Sequence, residues 1–485
     1  INIVSLNPNQ PDEGGTVTTP DISYNIIHDL SNNKVLDIIS TYFNGKNPFK
    51  ENMNSSGNQL LLLGPGEITL NCSSNTQGTL TQDLIDLYLN DIINFGITVN
   101  DSQILIGEDI KFPNNIRVVV DNSDNNLLQF NGNDKKFIIY DNNLTNEFSG
   151  LIYLEDNASI NINDVIMDSS GTLDITFFSG SIIQSNPSST RKIHKSVFIT
   201  NCKNESIKIS NYSSGGLVGL SCGNEGIFLM NNCINDLDII GEQAGGLLGR
   251  QVGRLGKSCS VINCINNGNI NGIASSGISG LLYGTLSNSC IIQNCYNTGN
   301  INNISCCGIL GYSSGQQTTN FQVLECYNTG NIIGPNSCGI VFDQVGIGSG
   351  SIVINKCYNT GSLSNINTSG IAGKNLGVFG GSVIIQNCYN TGSIDNSFCS
   401  GIVSDYIGYG ININDIQNKV IIENCFNIGN INGNYNSGIV GAYAFSTADN
   451  ELYPDTFNIK NCFNLADLSG NNNSGIAGYN LGIDE

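Results

Sequence analysis

Nine cysteines recur along this chain, at Cys202, Cys233, Cys264, Cys295, Cys326, Cys357, Cys388, Cys425 and Cys462, separated by six intervals of 31 residues and then two of 37. Their neighbours recur with them. The stretch "QNCYNTGN" at 293–300 returns as "LECYNTGN" at 324–331, "NKCYNTGS" at 355–362, "QNCYNTGS" at 386–393 and "ENCFNIGN" at 423–430. Thiols in so regular a column suit either a ladder of metal-binding or redox-active groups, or small polarizable fillers of a buried column. Zinc sites show short paired spacings, yet no C-x-x-C occurs among the 17 cysteines. The odd total and the single strict column also argue against a full set of bridges. Two further pairs one period apart, Cys259 with Cys290 and Cys307 with Cys338, stack within disulfide reach. The expectation is a structural column, with no metal and no cofactor.

Other residues with chemical potential are scattered. Acids in the less regular part of the chain, Asp121, Asp124, Glu155 and Asp164, are the candidates for acid–base work on a polysaccharide, and they read equally as polar turn residues. His28 and His194 lie far apart without the context of a nucleophilic triad. No P-loop, dinucleotide fingerprint or calcium-repeat motif is present. No catalytic residue is assigned.

Two positions after each cysteine stands an asparagine: Asn204, Asn235, Asn266, Asn297, Asn328, Asn359, Asn390, Asn427 and Asn464. Stacked amides hydrogen-bond along a ladder, and asparagine also tolerates the left-handed backbone of sharp corners. The residue before the cysteine is Asn in seven units, with Glu325 and Lys356 the exceptions. One asparagine column should form a corner and the other an internal ladder; the sequence does not say which. The residue after the cysteine is aromatic in the last six units, from Tyr296 to Phe463. Such a stripe serves either to hold sugar rings or to stiffen the edge by stacking.

These columns need elements that place equivalent residues over one another. Apolar residues stand three and five positions before every cysteine, the two-residue period of a strand with one buried face. An aliphatic residue follows six positions after it in eight units, from Ile239 to Leu468; the first unit carries one extra residue and offers Ile209. A third cluster, 13–16 residues on, reads "GLLG" at 246–249, "GISG" at 277–280, "GILG" at 308–311 and "GIAG" at 370–373, while the units of Cys326 and Cys388 keep only "GIVF" and "GIVS". Three short β segments per unit, punctuated by Gly, Asn and Ser, predict an all-β parallel β-helix of nine regular 31- or 37-residue turns with a triangular section. A propeller blade would need roughly 40–45 residues per unit.

The pattern "NCYNTGNI…SCCGILGY" and its copies resemble GLUG-motif repeats, over residues 197–485. That resemblance implies a right-handed parallel β-helix used for display, adhesion or structure in secreted, cell-surface or large-virus proteins. It carries over no catalytic residue.

Ahead of the array, 96–196 alternates apolar runs with turns and reads as irregular turns of the same solenoid. Residues 61–95 read as a capping segment with an amphipathic helix at 81–95, N-capped by Thr81, to cover open strand edges. Residues 1–60 read as a loose arm with a helix within 21–43. At the far end "GIAGYNLGIDE" stops mid-turn, an edge expected to meet a partner or a further segment. The chain begins at Ile1, which reads as processed, with any signal peptide already lost.

Composition excludes some functions. Charged residues are 12% and net charge is −21 without a basic stripe, which argues against nucleic-acid binding. No apolar run approaches the roughly 18–20 residues of a membrane-spanning helix. N-x-S/T sequons at Asn143, Asn157, Asn204, Asn211 and Asn367 would permit glycosylation in a secretory host. The expected protein is a non-catalytic structural or adhesive surface protein, a rigid rod in a fibre, layer or appendage of a cell or virus particle. Its expected partners are other structural subunits, itself, glycans or a host surface, and its expected place is extracellular or on the cell surface, or else in a virus particle. The alternative is a polysaccharide-binding or polysaccharide-degrading β-helix.

Overall fold

A computed structural model describes residues 26–28, 66–92, 97–121, 127–141, 145–184, 193–409, 419–442, 444 and 457–478. Alternation of buried and outward side chains creates its strands. In Ser258–Ile262, Cys259 and Val261 point into the interior while Ser258, Ser260 and Ile262 point outward. Each such strand pairs in parallel with its counterpart one unit later, so that Cys259 faces Cys290 and Val261 faces Ile292. The same register carries Asn266 to Asn297, Ile270 to Ile301, Ser276 to Cys307 and Ser279 to Leu310. One unit is therefore one coil of a parallel β-helix, and the stacking runs from Ser196 to Lys460. Neighbouring coils lie 4.8 Å apart at Cys259 and Cys290, so nine coils make a rod of about 40 Å.

The coil has less strand than the sequence suggests. It consists of a five-residue strand, a two-residue strand such as Ile265–Asn266, and three columns of single bridges six, twelve and fifteen residues after the cysteine. The "GxxG" segments thus form isolated bridges where a third strand is expected. Between them the chain bends through left-handed residues: in the coil of Cys264 these are Asn263, Ala274, Leu282, Gly284 and Leu286. With that many corners, no run is long enough for a third flat side.

The solenoid also starts earlier than expected. Gly66–Leu80, inside the presumed capping segment, is already a strand paired in parallel with Ile97–Ile106 and Ile116–Val120. The helix is Gln82–Ile92; the Leu84 amide donates to the Thr81 hydroxyl at 3.5 Å, the expected N-cap. Its Ile85 and Tyr88 are buried in one core with Leu70, Val99, Phe112 and Phe137. Gln82 fastens it to the coil by accepting from the Lys111 amide at 2.6 Å. Within 21–43, Ile26–His28 is a strand paired in parallel with Ile97–Val99. The rest of 21–43, and of 1–60, lies outside the described residues.

Candidate functional site

The nine cysteines do form one column. Eight are fully buried and Cys462, in the last coil, is partly exposed. Their thiols donate to backbone carbonyls of their own coil: Cys264 to Ile262 at 3.2 Å, Cys295 to Gln293 at 3.3 Å, Cys388 to Gln386 at 3.2 Å. Burial pushes the thiols of Cys233, Cys295, Cys357 and Cys388 well above their ordinary value. At Cys264 and Cys326 burial is outweighed by hydrogen bonds from the neighbouring column thiols, which pull them below it. A buried, protonated thiol already engaged with the backbone is a poor nucleophile and a poor metal ligand. The arrangement suits packing.

The two asparagine columns separate cleanly. Residues before the cysteine take φ of 52–56° in all nine coils, including Glu325 and Lys356. This is the corner, and it selects Asn because left-handed backbone costs a side chain least there. Where Asn is absent, the Lys356 ammonium meets the Glu325 carboxylate of the preceding coil at 3.1 Å. The asparagines two residues after the cysteine form the internal ladder, fully buried from Asn204 to Asn427. Each amide from Asn235 to Asn427 donates to the carbonyl of the next at 2.6–2.7 Å. The same nitrogen also donates to a backbone carbonyl, as Asn297 does to Gly299 at 2.6 Å, so burial leaves no orphaned amide. Asn204 departs from the ladder: its amide turns to Ile207 at 2.8 Å, because the first unit has an extra residue here. Its burial also removes it as a glycosylation acceptor.

This ladder explains the glycine motif. A Cβ on Gly277 would collide with the carbonyl oxygen of Gly308 and lie 3.0 Å from the Asn297 side-chain oxygen; Gly308 and Gly339 are placed the same way. The first glycine of the cluster is thus the one the stack cannot replace. The second varies from coil to coil: a Cβ on Gly280 would lie 3.2 Å from its nearest neighbours, whereas one on Gly311 would strike the Gly280 carbonyl, and Phe342 and Ser404 take the same position in other coils. Gly299, which the sequence suggests as a tight turn, has no left-handed φ; a Cβ there would strike the Gly268 carbonyl. Close approach of coils is the reason for it.

The aromatic column is a continuous stack. Ring centroids from Tyr296 through Tyr327, Tyr358, Tyr389 and Phe426 to Phe463 are 4.6–5.1 Å apart, with planes within 6° of parallel. The inner rings spend both faces on neighbours, and sugar recognition by aromatic stacking needs a free face. Their edges remain outward.

Of the candidate acids, only Asp121 and Glu155 are neighbours among the described residues. Asp121 and Glu155 follow the paired strands Ile116–Val120 and Ile152–Leu154 on successive coils. Asp164 sits at another corner with φ 57° and accepts from Asn201 at 2.8 Å. Asp124 lies outside the described residues, and His194 is buried with Nδ1 accepting from the Gly223 amide at 3.1 Å. A more concentrated group went unnoticed in the sequence. Asp343, Lys374 and Asp405 occupy one position, 17 residues after the cysteine, in three successive coils. Asp343 accepts from the Lys374 amide at 2.6 Å, and the Lys374 ammonium lies 3.5 Å from Asp405. Burial raises the Asp343 carboxyl to about 6 against the pull of Lys374, and burial raises Asp405 as well. The acid–base–acid alternation is visible only when the units are aligned beyond their apolar columns.

Fold and ladders together define a repetitive parallel β-helix with a helix packed into the core of its early described coils. Among the described residues no helix is long and apolar enough to cross a membrane, and no cluster of three or more His, Cys, Asp or Glu is arranged to hold a metal ion. Comparison with protein-family models, curated proteins and solved structures finds no match to this chain.

Proposed function

We propose that this chain is a structural or adhesive rod of the outer surface of a cell or of a virus particle, working by shape and stiffness rather than by turnover. The observation that carries this reading is the unbroken set of side-chain ladders through successive coils, with amides at 2.6–2.7 Å and rings at 4.6–5.1 Å. Identical columns give a uniform spacer whose length follows the number of coils. The resemblance to GLUG repeats supports the same reading, and the bonded Cys259–Cys290 pair fits an oxidising compartment. Gold-labelled antibody against the chain, applied to the native source, tests it. Rods, layers or particle-associated density carrying label are expected; label confined to dispersed soluble protein overturns it.

A second reading, a polysaccharide-degrading β-helix, draws on Asp343 and Asp405, two coils apart in one column with Lys374 between them, because a carboxyl held near 6 with a second carboxyl in the same column is what a general acid needs. Incubation with acidic and neutral polysaccharides, following new reducing ends and unsaturated products, discriminates. Turnover abolished by both Asp343→Asn and Asp405→Asn would favour this reading over the rod.

A further inference from the structure

Cysteine positions outside the nine-residue column follow a pattern of their own. Five residues before the column cysteine, the coils carry Val197, Phe228, Cys259, Cys290, Phe321 and Ile352, so cysteine occurs there in two adjacent coils only. Those two are bonded. Twelve residues after the column cysteine the series is Gly245, Ser276, Cys307, Cys338, Ser369 and Ser400, again with cysteine in two adjacent coils only. Cys307 and Cys338 face each other as parallel bridge partners, and their sulfurs are 3.2 Å apart. In the long column, by contrast, an inner thiol has equivalent neighbours above and below, so no pairing is singled out. Cys306 and Cys399 share a position but are three coils apart and cannot meet.

From this geometry we infer that Cys307 and Cys338 are a second disulfide site, which with Cys259–Cys290 staples three successive coils at two consecutive interfaces. Only small side chains occupy the position in the neighbouring coils, so a bridge fills space that serine fills elsewhere. The pair also lies apart from the main core, in a small cluster with Phe342 and the half-buried Tyr312. An oxidant therefore needs to displace only that cover rather than open the coil. With a small-molecule disulfide such as glutathione disulfide, one thiolate attacks a glutathione sulfur and releases one glutathione thiol. The second thiolate then displaces the other glutathione. Two protein thiols thus lose two protons and two electrons, which leave as two glutathione thiols.

The test is a thiol count on the full chain after incubation with glutathione disulfide, quenched in denaturant with N-ethylmaleimide and read by intact mass and non-reduced peptide mapping. Thirteen labels on the 17 cysteines and a cross-linked peptide joining Cys307 to Cys338 are expected. Fifteen labels, or stable glutathione adducts on either residue, overturn the proposal. The Cys338→Ser variant restores the residue found in the next coil, Ser369, and should fold with fourteen labels on sixteen cysteines. Twelve labels on that variant would show Cys307 bridging elsewhere and would also overturn it.

Discussion

Between Gly66 and Gln184 the solenoid is filled by large, unlike side chains; between Ser196 and Tyr409 it is filled by columns of like ones. In the first region Phe112, Phe130 and Phe137 meet at tilted and edge-on angles, 6.0–6.3 Å apart. Its strands slip register, between Leu70 and Ser74 and again between Asn131 and Lys135. Its outer face uses individual charge contacts: Arg117 binds Glu67 and covers the Tyr153 ring at 4.4 Å, and Lys136 bridges Asp168 and Glu205 at 3.1 and 2.6 Å. In the second region the strands from Ile227 onward pair without a slip, and amide meets amide and ring meets ring. Unlike neighbours make each contact unique, so the early coils are locked by pairwise fit. Like neighbours make each coil a template for the next, so the later coils are locked by repetition.

Substitutions that separate these two modes follow in order of effect. Phe137→Ala, in the unlike region, removes a buried ring that no equivalent residue replaces and should cost about 4 kcal/mol in chemical denaturation. Asn328→Leu, in the like region, breaks the 2.7 Å bonds to Asn297 and Asn359 and should cost about 3 kcal/mol. If it proves harmless, repetition is not what holds the array. The reference is Asn161→Ala in the early coils, which loses one outward bond to Gln129 and should cost less than about 1 kcal/mol.

The next effect has the opposite sign. The Asp343 carboxyl titrates at about 6 in the fold, against roughly 3.9 in an unfolded chain. The folded state thus holds this proton more tightly, and the stability it contributes is full below pH about 4 and lost as pH rises through about 6. Asp343→Asn should accordingly flatten the pH dependence of unfolding across that window and stabilise the protein by about 2 kcal/mol at pH 7. Within the regular coils the smallest effect is expected at the edge: Tyr358→Ala interrupts the ring stack, exposes faces of Tyr327 and Tyr389, and should cost about 1 kcal/mol.

The sequence legibly carried the repeat, the coil and the registers of its apolar columns, and it marked two asparagine columns without saying which forms the corner. Apolar periodicity and spacing encode these directly, because every coil repeats the same message. What it did not carry follows from features that repetition leaves unmarked. The corners at Leu282 and Leu286 use left-handed backbone without Gly or Asn, so the "GxxG" segments looked like strand. Gly299 looked like a turn because a glycine forced by close approach and one forced by φ are written alike. Gly66–Leu80 was hidden because its coil has no copy to be aligned with. The Asp343–Lys374–Asp405 alternation lay in a column of variable residues, where charge and not hydrophobicity holds the pattern.

Hydrogen exchange tests the claim of coil-on-coil templating most directly, since the turn segments stack through backbone bonds as the strands do. Gly284 donates to Val252 at 2.9 Å and Gly315 to Tyr283 at 2.7 Å, each bond crossing to the preceding coil. If repetition locks whole coils, the amides of Gly284 and Gly315 should exchange as slowly as those of Ile292 and Val323 in the strands. Turn amides exchanging orders of magnitude faster, with protection confined to the strands, would contradict it.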